Sequence, residues 1–388
     1  MLAHSPPLPL AIDYTRDVDA ENEEGAILAL KQRDRVRRVR LNLPATILQK
    51  LLVTLDGEYP ILEYLVIMPW TRDYRTVLKF PDTLQELPLR HLTLRGFSIP
   101  IGSRLLTTAI GLVTLCLLVD HPSAYFYPNT LLNWLSFMPQ LETLFIIFSF
   151  AIPNHDVMEQ LTHTPTLTPV TLLNLRWFAF RGVGAYLEAL VHRITTPRLE
   201  KLELRFFNQP TYSNPRLQQF VNTTSNLRFD SVKFEFSGEK VLVTLYLREE
   251  AEIFSIRMHV DCWHLDWQIS SVTQISNSLS QMFSATEHLA LEYAAHSRSS
   301  EEHNEVDRTE WRKLLSSFSK VKTILIDNAL VKGVSRCLES DDGGLPSDLL
   351  PELEELTYSG SGDTGNPFTS FINARQNAER PVNLIAHR

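Results

Sequence analysis

The side chains whose types best suit chemistry lie in DCWHLDW, residues 261–267. On a strand, alternation puts Cys262, His264 and Asp266 on one face, and thiolate, imidazole and carboxylate are all metal-ligand types. No further ligand stands at a useful spacing. The reading adopted is that Trp263, Leu265 and Trp267 pack inward while the polar three face water, so no metal or cofactor is expected. His155 and His163 are eight apart and read as surface histidines. The nearest glycine cluster to a phosphate loop, GVG at 182–184, lacks the rest of such a loop. Gly-x-x-x-x-Gly-Lys-Ser/Thr, Gly-x-Ser-x-Gly and His-Glu-x-x-His are all absent, and the glycine-rich SGSGDTGNP (359–367) reads as a loop. No catalytic residues are assigned, and the chain reads as a non-enzyme.

The strongest charge run is KQRDRVRRVR, residues 31–40. Arg35–Arg40 could meet nucleic-acid phosphates or anionic lipid. Against this, the 388-residue chain carries 37 basic and 45 acidic residues, a net charge of −8, which opposes generic polyanion binding. Within the run, Val36, Val39 and Leu41 also follow a hydrophobic pattern that makes it a strand with arginines on its exposed positions. Nucleic acid and lipid therefore stand as the alternative, together with an unrecognised enzyme.

What would position these residues is a beat of three then two. LEKLELRFF (199–207) places Leu199, Leu202 and Leu204 in that rhythm. It recurs at Val36-Val39-Leu41, Leu62-Leu65-Ile67, Leu89-Leu92-Leu94, Leu112-Leu115-Leu117, Leu141-Leu144-Ile146 and Leu175-Phe178-Phe180. It returns at Phe229-Val232-Phe234, Val321-Ile324-Ile326 and Leu353-Leu356-Tyr358, while TEHLAL (286–291) keeps only Leu289 and Leu291 in phase. Starts lie mostly about 23 to 35 residues apart, overlapping and exceeding the ~20–29 of leucine-rich repeats. Each unit would carry one short strand whose beat residues enter a core shared with its neighbours, because a single unit cannot bury its apolar face.

Parallel strands need return segments. Helical spacing supplies them at 45–55, 130–138, 184–194, 270–283 and 309–318. The expected fold is α/β: a leucine-rich-repeat-like solenoid, with a curved parallel sheet on the concave face and helices on the convex face. EKVLVTLYL and EIFSIRMHV form an inserted antiparallel strand pair near 240–260. The expected division is an N-terminal cap segment 1–35, repeats 36–237, the insertion 238–269, further repeats 270–367 and a C-terminal cap 368–388. RDVDAENEEG (16–25) reads as an acidic surface loop.

Cys116, Cys262 and Cys337 are odd in number and far apart, which suits a reducing compartment. LVTLCLLV and LFIIFSFAI are too short for the ~20 residues of a membrane helix and read as buried strands. An intracellular protein, cytoplasmic or nuclear, with no membrane association is expected.

Beat positions three, five and seven point away from the core. They give a concave face with an apolar centre at Leu118, Phe145, Ile147 and Trp177 and flanks at Arg95, Arg181, Lys201 and Arg205. Aromatic anchors inside an arginine-containing rim suit a protein or peptide ligand of acidic character.

The order PLPLAIDY, GAILALKQRDRVRRVRLNLP, YPILEYLVI, FPDTLQELPLRHLTLRG and LDWQISSVTQISNSLS…TEHLALEY resembles leucine-rich-repeat F-box proteins of mushroom-forming fungi. The resemblance covers essentially the whole chain and implies the substrate-recognition part of a cullin-type ubiquitin ligase receptor. The family contributes no catalytic residues. The F-box itself is not seen, since only Met1 to Pro6 precede PLPLAIDY. A Skp-type adaptor is expected as a partner only if an F-box lies upstream.

Overall fold

The computed structural model describes residues 8–15, 20–55, 57–70, 77–80, 84, 87–151, 169–207, 215–250, 253–294, 308–339, 349–359 and 366–387. His155 and His163 lie outside the described residues. The chain forms two compact units, 1–200 and 201–388.

In the first unit the strands are β1 (Leu10–Thr15), β2 (Val36–Leu43), β3 (Tyr64–Pro69), β4 (Leu78–Lys79), β5 (His91–Arg95), β6 (Phe97–Ser98), β7 (Thr114–Val119), β8 (Thr143–Phe148), β9 (Val170–Thr171), β10 (Trp177–Gly182) and β11 (Ile194–Thr195). The main sheet runs β1-β2-β3-β5-β7-β8-β10, every pair parallel. β4–β6 and β9–β11 form two small parallel ribbons. The register places beat upon beat: Val39 opposite Leu65, then Leu92, Leu115, Leu144 and Phe178. All six are wholly buried. Helices Ala20–Leu30, Ala45–Thr54, Pro128–Leu135 and Gly184–Val191 are the longer return segments. Pro128 opens its helix at a position where the missing N–H costs no bond.

The residues expected as an acidic loop at 16–25 are helical from Ala20. Glutamates near a helix start are favoured by its dipole, so a charge run alone does not mark a loop.

The second unit contains β12 (Lys201–Phe206), β13 (Ser231–Phe236), β14 (Lys240–Tyr246), β15 (Phe254–Asp261), β16 (His288–Tyr293), β17 (Thr323–Ile326), β18 (Glu355–Ser359) and β19 (Asn383–His387). Their order is β12-β15-β14-β13-β16-β17-β18-β19. β14 is antiparallel to both neighbours, while β15 runs parallel to β12 and β13 parallel to β16. The insertion is therefore a meander laid backwards: the chain reaches β13 three places beyond β12 and folds back through β14 to β15, which fills the place next to β12. Helix Leu265–Ser278 then leads on toward β16. The helix Thr369–Asn377 and β19 follow β18, with Phe368 and Phe371 buried.

Three beats depart from expectation. Phe229 is only half-buried, and Leu227 is buried instead. Tyr358 is half-buried. At TEHLAL the first beat is filled after all, by Thr286, which is completely buried; its Oγ1 donates to the Met282 carbonyl at 3.4 Å. A buried hydroxyl is tolerated when a helix-end carbonyl accepts its proton.

The DCWHLDW segment is not a strand. β15 ends at Asp261, and a helix begins at Leu265 with His264 as its N-cap residue. Cys262 is fully buried, Asp266 is exposed, and Trp263 and Trp267 are 69% and 54% exposed. The expectation that both tryptophans pack inward is overturned, because a strand-to-helix turn breaks the period of two. Among the described residues no group of three or more His, Cys, Asp or Glu side chains is placed to hold a metal ion. Among them, too, no helix is long and apolar enough to cross a membrane.

Candidate functional site

Most beat residues are buried on one side of each sheet, and positions three, five and seven lie on the other, where Val66, Thr93, Cys116 and Ser231 are nonetheless buried among their neighbours. In the first unit the third position runs Arg38, Tyr64, His91, Thr114, Thr143 and Trp177 in direct register. The fifth runs Arg40, Val66, Thr93, Cys116, Phe145 and Ala179, and the seventh includes Arg95, Leu118, Ile147 and Arg181.

The structure brings the expected apolar centre together. The Phe145 and Trp177 rings meet edge to face, with centroids 4.8 Å apart. Leu118 and Ile147 are cross-strand partners one position on. All four are half-buried, unlike the wholly buried beat residues on the other face.

The expected rim is less cationic than its residue types suggest. Arg95 Nε donates to Asp120 Oδ2 at 2.6 Å, and Asp120 also accepts from Ser149. In the second unit, Arg205 makes two parallel bonds to the Asp261 carboxylate at 3.0 and 3.2 Å. Lys201 approaches the Phe254 ring at 5.9 Å. Beside them, Glu203 lies 3.6 Å from His259 Nε2, and Arg257 covers the Phe254 ring at 4.0 Å. The hydrogen bond from His259, aided by the charges of His259, Arg257 and Arg205, holds the Glu203 carboxyl below its ordinary value against the opposing effect of burial. The acidic partners of Arg95 and Arg205 escaped the strand list. Asp120 lies just past β7, and Asp261 belongs to the returning strand of the meander.

A second group of rings lies at the other end of the first unit's face. Arg38 stands over the Tyr64 ring at 4.1 Å, and Tyr64 stacks on His91 with centroids 4.3 Å apart and planes 9° from parallel. Burial, reinforced by the Arg38 charge, pushes the His91 imidazole below its usual value. Its Nε2 lies 3.1 Å from Thr93 Oγ1. Arg38 was legible as an open-face residue, but the stack was not, because it needs three consecutive strands in exact register.

The arginine run is largely spent within the molecule. Arg35 donates to the Leu8 carbonyl, Arg37 binds Glu63 at 2.9 Å, and Arg40 lies 4.0 Å from Asp13.

No family model matches the chain, and no curated protein matches it. Among solved structures, one of TLR13 in complex with ssRNA13 aligns at 14% identity. That alignment covers 91% of this chain and 45% of the other, with a TM-score of 0.32, a likeness too slight to transfer a ligand or a function.

Proposed function

We propose that the chain is a non-catalytic protein-interaction module that holds an extended peptide or protein segment on the open face of its first unit. The observation that carries this reading is the half-exposed Phe145–Trp177 pair, seated on parallel strands beside Leu118 and Ile147. Rigid aromatic anchors with partial exposure are what interface centres are made of. Arg95 and Arg181 border the centre, and Lys201 and Arg205 are proposed as contacts on the second unit's own face.

The resemblance to fungal leucine-rich-repeat F-box proteins extends the reading to substrate recognition within a cullin-type ubiquitin ligase, in the cytoplasm or nucleus. A Skp-type adaptor would then be a partner wherever an F-box accompanies these repeats.

The test is affinity capture with the wild type and a Phe145→Ala/Trp177→Ala double variant of matched melting temperature. Loss of captured partners from the variant alone is expected; an unchanged set ends the proposal.

A further inference from the structure

The Arg38–Tyr64–His91 stack borders a cavity of about 370 Å³ at the N-terminal ends of β1, β2 and β3. Pro9 and Leu10 form its apolar wall; Arg37, Arg38, Glu63 and Tyr64 form its polar one. The charges of Arg37 and Glu63 cancel each other at 2.9 Å. Arg38 is exposed, and among the described residues no carboxylate lies within ion-pair distance of it; its contact is the Tyr64 ring. A guanidinium seated over a ring has its N–H fork left for a partner, and that fork suits bidentate capture of a carboxylate.

We propose that this cavity is a carboxylate subsite for an acidic residue of the same segment that occupies the Phe145–Trp177 centre. This inference rests on the peptide-binding reading above. Charge complementarity selects a peptide over a polyanion. Of the three β2 arginines, Arg37 and Arg40 already have acidic neighbours at 2.9 and 4.0 Å, which leaves the Arg38 guanidinium for one carboxylate. Nucleic acid would require several uncommitted cations in a row. Arg38 on β2 and Phe145 on β8 are separated by four strand steps, or about 19 Å at ~4.8 Å per step. An extended segment advancing ~3.3 Å per residue covers that in about six residues. Between the two ends stand the small side chains of Thr93, Thr114 and Cys116, of which Thr93 and Cys116 are each 9% exposed.

The experiment is selection from a displayed library of random twelve-residue peptides against the wild type, Arg38→Glu, and Phe145→Ala/Trp177→Ala. Random single-stranded oligonucleotide serves as a separate probe. From the wild type, enriched peptides should carry Asp or Glu about six positions from an aromatic or aliphatic residue. With Arg38→Glu the acidic preference should vanish or turn to Lys and Arg, while the apolar preference persists. Apolar enrichment with no acidic preference, or an acidic preference unchanged by Arg38→Glu, overturns the subsite and leaves the apolar centre standing. Absence of any enrichment overturns both. Oligonucleotide binding weakened tenfold or more by Arg38→Glu overturns the choice of a peptide.

Discussion

Arg37 and Glu63 occupy the same place in consecutive repeats and are joined twice. The Glu63 amide donates to the Arg37 carbonyl at 2.9 Å, and the Arg37 side chain binds the Glu63 carboxylate at 2.9–3.0 Å. The backbone bond recurs from Arg90 to Glu63, Val113 to Arg90, Glu142 to Val113 and Arg176 to Glu142. In the second unit it links Glu287 to Asp230, Lys322 to Glu287 and Glu354 to Lys322, with a Lys322–Glu287 ion pair at 2.8 Å. Position two is thus a rail of backbone bonds, some of whose steps also carry complementary charges.

Reversing one charge of the Arg37–Glu63 pair sets like charges side by side. Both groups are well exposed, so Arg37→Glu should cost only about 0.2–1 kcal/mol. The Arg37→Glu/Glu63→Arg exchange should recover most of it. Chemical denaturation in urea at low and high salt checks this: the single-variant deficit should shrink as salt rises.

Glu203 supplies a pH-dependent contribution of known sign. Its folded carboxyl titrates below the unfolded value, first because of the hydrogen bond from His259. Such a group adds stability above its unfolded value near 4.5, and that contribution is lost as pH falls through the lower folded value. Wild-type stability should decline below pH 4.5 more steeply than that of Glu203→Gln. Urea midpoints between pH 3 and 6 measure the difference, and parallel curves would contradict it.

The beat residues are not equivalent. Leu144 is wholly buried in a row of aligned apolar side chains, so Leu144→Ala should cost about 2–5 kcal/mol. Thr286 is equally buried, but its hydroxyl makes one long bond, at 3.4 Å. Thr286→Val preserves the shape, exchanges the hydroxyl for a methyl and should change stability by less than about 1 kcal/mol. Thermal melts of the two variants give the comparison.

The repeat was readable because each beat is a local pattern: three apolar residues in six, repeated until the phase could not be accidental. Leu92, Leu115 and Leu144 stand where that pattern puts them, and so do the rings of Phe145 and Trp177 on the opposite face. Properties set by non-local partners were not readable. The charge of Arg95 is cancelled by Asp120, and that of Arg205 by Asp261 across a reversed meander. The Trp263 and Trp267 error has the same origin, since alternation fails at a strand-to-helix turn whose place the local composition does not mark.

Cysteine reactivity offers a built-in footprint of the open face. Cys116 is cross-strand neighbour to Phe145 and 9% exposed; burial raises its thiol to about 11, against a smaller opposing effect of its Thr93 hydrogen bond. Cys337 is fully buried, and burial raises it to about 12. Burial also raises Cys262. Because the thiolate is the reactive form, all three should react slowly with an aromatic disulfide at pH 7.5 and promptly once unfolded. Cys116 alone borders the proposed ligand surface, so a selected peptide should slow its labelling several-fold relative to Cys337. Mass spectrometry of the labelled peptides reads the ratio. Equal slowing at both cysteines would indicate general stabilisation instead of coverage, and no slowing at Cys116 would place the peptide elsewhere.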